Sequence, residues 1–66
     1  MLVNGKLFEI NNLINRSIFS LLDHLKLPYG SVAIERNGEI LDKELWKENL
    51  LGETDRIEII KFVGGG

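Results

Sequence analysis

The 66 residues predict an α+β fold: a mixed four- to five-stranded sheet, rolled over one main helix packed on one face. Three observations carry the prediction. Asn-Gly occurs twice between strand-like runs, at Asn4-Gly5 and Asn37-Gly38. A single stretch, Ile18, Leu21, Leu22, Leu25, repeats at helical i, i+3, i+4, i+7 spacing. The segment from Arg56 to Val63 reads as one long strand.

The elements follow in order. Met1 to Val3 and Lys6 to Ile10 flank Asn4-Gly5, whose residues both tolerate the positive φ that a tight hairpin demands. Asn11, Asn12 and Asn15 mark a loop, with Leu13 and Ile14 expected to tuck beneath it. Ser17 is a good N-cap because its hydroxyl accepts from a backbone N–H that the helix leaves unpaired. About ten helical residues should follow, ended by Pro28 and Gly30. So short a helix is marginal in water and must lie on a sheet. Ser31 to Glu35 alternates, with Val32 and Ile34 on one side, and Glu39 to Leu41 returns after Asn37-Gly38. Asp42 should cap a short helical turn over Lys43 to Lys47, anchored by Leu45 and by Trp46 as a core lid. Leu50 and Leu51 lead through a turn at Gly52 to Asp55 into the last strand.

Composition narrows the function classes. With 44% hydrophobic and 27% charged residues, the chain is an ordinary small globular domain. It has no Cys, which excludes disulfides, thiolate chemistry and cysteine zinc sites. One His and no clustered ligands argue against a metal. The net charge is −2, without a basic stripe, so nucleic acid is not the expected partner. Six acids between Asp42 and Glu58 stand against Lys43, Lys47 and Arg56. That excess reads first as a solvated face and second as a surface for a basic partner. No apolar run is long enough to span a membrane, and the start lacks a signal-peptide pattern. The expected setting is the cytoplasm, without membrane attachment.

No catalytic constellation is visible. His24 falls on the polar side of the helix with no nucleophile nearby, and Asp23, Glu35 and Glu39 read as solvated charges. Gly5, Gly30, Gly38 and Gly52 are turn glycines, not a phosphate loop. An enzyme in its own right is not expected.

The C-terminal strand carries the functional signal. Ile57, Ile59, Lys61 and Val63 share one face, and Glu58, Ile60 and Phe62 share the other. Side chains change face at every residue, so both apolar sets cannot enter one core. Either Trp46 or a loop covers Ile60 and Phe62, or these two, with Val63, form an exposed docking patch. Gly64-Gly65-Gly66 follows, with nothing to bury and much conformational entropy to lose. Residues 1–63 are thus expected to form the domain and Gly64, Gly65 and Gly66 a flexible tail. Extended, such a tail reaches roughly 10 Å at about 3.3–3.6 Å per residue. Lacking Cβ atoms, it can thread a narrow channel and present a terminal carboxylate to another protein's active site.

Taken together, the chain resembles the β-grasp, ubiquitin-like superfamily and, within it, the ThiS family of sulfur carriers in thiamine biosynthesis. The resemblance spans essentially all 66 residues. It rests on the Asn4-Gly5 hairpin, the helix from Ser17 to Leu25, the segment Val32 to Gly38 and the run Gly52, Asp55, Arg56, Ile57, Glu58, Ile59. Its one specific motif is the ending Phe62-Val63-Gly64-Gly65-Gly66. The resemblance implies that an E1-like (ThiF-type) adenylyltransferase adenylates the Gly66 carboxylate with ATP and magnesium. A sulfur donor such as a cysteine desulfurase then displaces AMP to leave a thiocarboxylate, and a ThiG-type thiazole synthase accepts the sulfur. This chain would bind no cofactor itself and would be a monomer in isolation. The same tail chemistry would also serve a molybdopterin-synthase small subunit or a ubiquitin-like modifier. A plain protein-interaction module is the third reading.

Overall fold

Both Asn-Gly pairs turn the chain as their chemistry requires. The computed structural model describes residues 1–62. Asn4 and Gly5 have φ of 51° and 81°, and Asn37 and Gly38 have 53° and 88°. Paired positive φ values make turns whose twist matches the strands they join. The first turn links β1 (Leu2–Val3) to β2 (Lys6–Leu7), and the second links β3 (Val32–Arg36) to β4 (Glu39–Leu41). The last strand, β5 (Arg56–Lys61), lies between the hairpins, giving the order β2-β1-β5-β3-β4. It runs parallel to β1 and antiparallel to β3, so the five-stranded sheet is mixed.

The helix α1 (Ile18–His24) has seven residues rather than about ten. Ser17 caps it as expected, its Oγ accepting from the Ser20 N–H at 3.0 Å, while Asn15 Oδ1 accepts from the Ser17 N–H at 2.9 Å. The stop is not set by Pro28 and Gly30. Lys26 adopts φ of 59°, and the Leu27 N–H returns to the Leu22 carbonyl at 2.9 Å. With the Lys26 N–H on Asp23 O, this is the Schellman closure, made here without glycine.

Ile18, Leu21 and Leu22 are fully buried against Val3, Val32, Ile34, Ile57 and Ile59 of the sheet. Each such side chain contributes roughly 1.5–3 kcal/mol, which is why seven residues of helix persist. Trp46 closes the core as the expected lid: it is 1% exposed, meets Phe19 edge-on, and donates Nε1–H to the Leu41 carbonyl at 3.0 Å. The turn beneath it is a 3₁₀ turn over Lys43–Leu45.

Three expectations require correction. Ile14 does not tuck under its loop but is 98% exposed; only Leu13 packs against the core. The loop is pinned instead by a 3₁₀ turn over Ile10–Asn12, which sends Ile10 inward. Leu45 is exposed and leaves the anchoring to Trp46. Asp42 caps its turn with its backbone carbonyl, which accepts from the Leu45 N–H at 2.8 Å; its side chain makes no cap bond. No helix among the described residues is long and apolar enough to cross a membrane.

Candidate functional site

The site is built on β5, whose position between β1 and β3 is fixed by side chains from both hairpin turns. Asn37 donates its backbone N–H to the Arg56 carbonyl at 2.8 Å, and its Oδ1 accepts from the Arg56 N–H at 2.9 Å. On the other flank, β1 is only two residues long. The Asn4 side chain continues the ladder in its place, accepting from the Ile59 N–H at 2.7 Å. Beyond Lys61 the pairing with β3 persists, as the Phe62 N–H donates to Ser31 O at 3.0 Å. The strand therefore delivers the chain to Phe62 in an extended, supported path.

Entry into β5 is set by a buried carboxylate. Asp55 accepts from the Gly52 N–H at 2.8 Å, from Asn37 Nδ2 at 3.1 Å and from the Arg36 guanidinium at 2.8 Å. Burial alone pushes its carboxyl up. The Gly52 N–H, the Asn37 amide and Arg36 together outweigh burial and hold it below the ordinary 3.8. A group whose folded value is depressed adds stability above the unfolded value and loses it as pH falls through the folded one. The parent protein should accordingly lose melting temperature below about pH 4 more steeply than Asp55→Asn does. Equal slopes for the two proteins in a thermal melt across that range would show that Asp55 is not so held.

Alternation along β5 comes out as predicted. Ile57 and Ile59 are buried in the core, while Glu58, Ile60 and Phe62 lie on the outer face. Of the two readings of Ile60 and Phe62, cover by Trp46 or a loop is the one that fails. Trp46 is committed to the core, and Ile60 and Phe62 remain 42% and 56% exposed. Val63, the third expected docking residue, and the tail Gly64, Gly65 and Gly66 lie outside the described residues.

The sheet register adds members that the sequence did not assign to this face. Ala33 stands opposite Ile60 and Glu35 opposite Glu58, both on β3. On β4, Ile40 stands across from Glu35 and is 60% exposed. Ile40 and Phe62 line one shallow groove of about 240 Å³ beside the β3–β4 hairpin. The outer face thus gathers apolar groups from three strands: Ile40 on β4, level with Glu58, Ala33 on β3, and Ile60 of β5 with Phe62 just beyond it. Ile40 sits one position after Glu39 in a return strand of three residues, too short to reveal its face by alternation.

The other candidates scatter. His24 is exposed, its ring edge-on to Phe8 at 5.3 Å. Asp23 accepts from the Tyr29 hydroxyl, and Glu35 and Glu39 occupy neighbouring strands with opposite facing. Among the described residues no group of three or more acidic or His side chains could hold a metal ion.

The fold and the sequence agree with known proteins. The family model described as the ThiS family matches residues 1–66. The Bacillus subtilis sulfur carrier protein ThiS is 46% identical over 50 residues, covering 76% of each chain. A thiazole synthase of Paramagnetospirillum magneticum is 33% identical over all 66 residues; the chain spans only 20% of that protein. Among solved structures, the crystal structure of the thiamine biosynthesis protein ThiS from Geobacter metallireducens superposes with a TM-score of 0.79. That chain is 32% identical, with 98% of this chain and 96% of that one covered. A mixed β-grasp sheet, one helix, a last strand leading to Phe62-Val63-Gly64-Gly65-Gly66 and a family match along the whole length give one conclusion: the chain belongs to the ThiS family, the sulfur carriers of thiamine biosynthesis.

Proposed function

We propose that this chain carries sulfur as a thiocarboxylate on Gly66. The observation that supports this most directly is the order of parts: a centrally held β5, an exposed apolar face at its end, then three glycines. A free carboxylate is a poor acylating group. Adenylation by an E1-like adenylyltransferase, using ATP and magnesium, supplies AMP as leaving group. The persulfide of a sulfur donor such as a cysteine desulfurase attacks the adenylate and displaces AMP, a thiol reductant cleaves the resulting acyl disulfide to leave the thiocarboxylate, and a thiazole synthase takes the sulfur. Catalytic groups then belong to the partners, in keeping with a chain that has no Cys and a lone, exposed His. Gly64, Gly65 and Gly66 thread the partner's active site while Ile60, Phe62 and Val63 dock. The reactions belong to the cytoplasm, and the carrier works as a monomer that visits its partners in turn.

The thiamine destination is favoured over a molybdopterin-synthase subunit by the names of the similar proteins, a thiazole synthase and two ThiS proteins. The test is intact mass after incubation with ATP, magnesium, a desulfurase system and the adenylyltransferase of the same organism. A gain equal to exchange of one oxygen for sulfur, lost on deletion of Gly66, supports the carrier. No adenylate and no sulfur gain with an active partner leaves an interaction module.

Docking has its own prediction. Phe62→Asp should weaken binding to the adenylyltransferase about tenfold or more while lowering the melting temperature by only a degree or two. The reason is that Phe62 is held by its backbone N–H, which the substitution keeps, and its ring is more than half exposed. A large drop in melting temperature would instead place the ring in the core.

A further inference from the structure

The two Asn-Gly turns hold the parts of a reaction as well as a bend. The backbone nitrogen of the glycine can attack the side-chain carbonyl carbon of the asparagine before it. A C–N bond forms, and the side-chain NH2 leaves as ammonia, taking up the proton that the glycine nitrogen gives up. Water then opens the resulting succinimide at either carbonyl, leaving aspartate or isoaspartate. Glycine favours this attack because it has no side chain to crowd the ring. At Gly5 and Gly38 the space is also open, with no atom within 4 Å of where a Cβ would stand. The other asparagines, Asn11, Asn12, Asn15 and Asn49, all precede residues with side chains.

Each asparagine must first turn away from the strand it holds, and the two releases differ in cost. Asn4 Oδ1 accepts from the N–H of Ile59, a buried residue, at 2.7 Å. Its departure leaves a strand donor unpaired within the sheet, which is expensive. Asn37 Oδ1 accepts from the N–H of Arg56, an exposed residue, at 2.9 Å, so water can take its place. Asn37 Nδ2 also gives up Asp55 Oδ1 at 3.1 Å, but that carboxylate keeps the Gly52 N–H and Arg36. Asn37 is therefore the easier of the two to free.

Its product is also the more disruptive. Where Nδ2 donated to Asp55, a carboxylate oxygen would face a carboxylate, with Arg36 left to neutralise both. At Asn4 the new carboxylate can still accept from the Ile59 N–H and meets no such neighbour. We infer that Asn37 is a site of spontaneous deamidation, and that its conversion unfastens the entry to β5 by setting a second negative charge against Asp55. The inference does not depend on the carrier reading.

The experiment incubates the whole protein, folded or in urea, at mildly alkaline pH and maps its peptides by mass spectrometry over time. The readout is exchange of NH2 for OH at each asparagine, each rate divided by that of the same residue in urea. Asn37 should then react about tenfold faster than Asn4, the difference one unsatisfied strand N–H makes. Normalised rates within twofold of each other, or a faster Asn4, would overturn the assignment. For the consequence, Asn37→Asp should melt about 5 °C below the parent and below Asn4→Asp. Adding Asp55→Asn to Asn37→Asp should recover part of that loss, because the two carboxylates no longer face each other. Melting of Asn37→Asp within about a degree of the parent, or no recovery in the double variant, would overturn the clash with Asp55.

Discussion

Gly66→Ala should leave the thermal melt of the protein unchanged and slow activation of its carboxylate about a hundredfold. The core that sets stability closes among residues 3–59, from Val3 to Ile59, and position 66 lies seven residues beyond it in the sequence. In the proposed carrier chemistry activation is different, because it would depend on placing one carboxylate against a nucleotide phosphate within a partner channel narrow enough for glycine. A misplacement of about 1 Å at a reacting centre costs roughly a hundredfold in rate. Alanine adds a Cβ and also narrows the backbone conformations open to the residue. Measuring adenylate formation by pyrophosphate release, with melting followed by circular dichroism, checks both halves. Equal rates for the two proteins would show that no tight channel receives this residue.

Trp46→Ala should unfold the domain at ambient temperature or come close to it. Truncating a buried tryptophan costs about 3–5 kcal/mol, and a chain of this length holds about 3–10 kcal/mol in total. Here the loss has four parts. The indole fills the core between α1 and the β3–β4 hairpin, its ring supports Phe19 at 5.6 Å between centroids, and Nε1–H satisfies the Leu41 carbonyl. Lys43 Nζ also lies 5.7 Å from the ring and loses that attraction. Trp46→Phe separates the contributions, since it keeps much of the volume and removes the hydrogen bond. Trp46 is the chain's single tryptophan, so urea unfolding is best followed by circular dichroism. A midpoint for Trp46→Ala close to that of the parent would mean the core closes without its lid.

These two sites meet in function without sharing a role. Trp46 holds the β3–β4 hairpin on the core, and the hairpin in turn supports β5 through Asn37 and the β3 ladder. In the proposed carrier role the glycines serve instead for passage through a partner. Under that proposal, separating a docking face from a tail without side chains lets one small domain serve partners with different active sites.

The parts of this protein legible from sequence are those decided within a few residues. Asn4-Gly5 and Asn37-Gly38 turn the chain because positive φ is a property of those residues, and Ser17 caps because the N–H it serves is three positions away. Alternation along β5 separates Ile57 and Ile59 from Ile60 and Phe62 on chain geometry alone, and the glycine ending is simply read. Tertiary structure decided the rest, because the partners lie far apart in the chain. Asn4 serves Ile59 across 55 positions, so its role as a substitute strand has no local signal. Asp55 is buried and held ionised by Arg36 and Asn37, which only the sheet brings beside it. Lys26 could take the left-handed conformation that ends α1 because Leu27 gained a place against the core, a packing gain that local preference does not contain. Whether Ile60 and Phe62 are covered, and that Glu35 stands opposite Glu58, depend on strand register, in which a shift of one residue would turn every side chain to the other face.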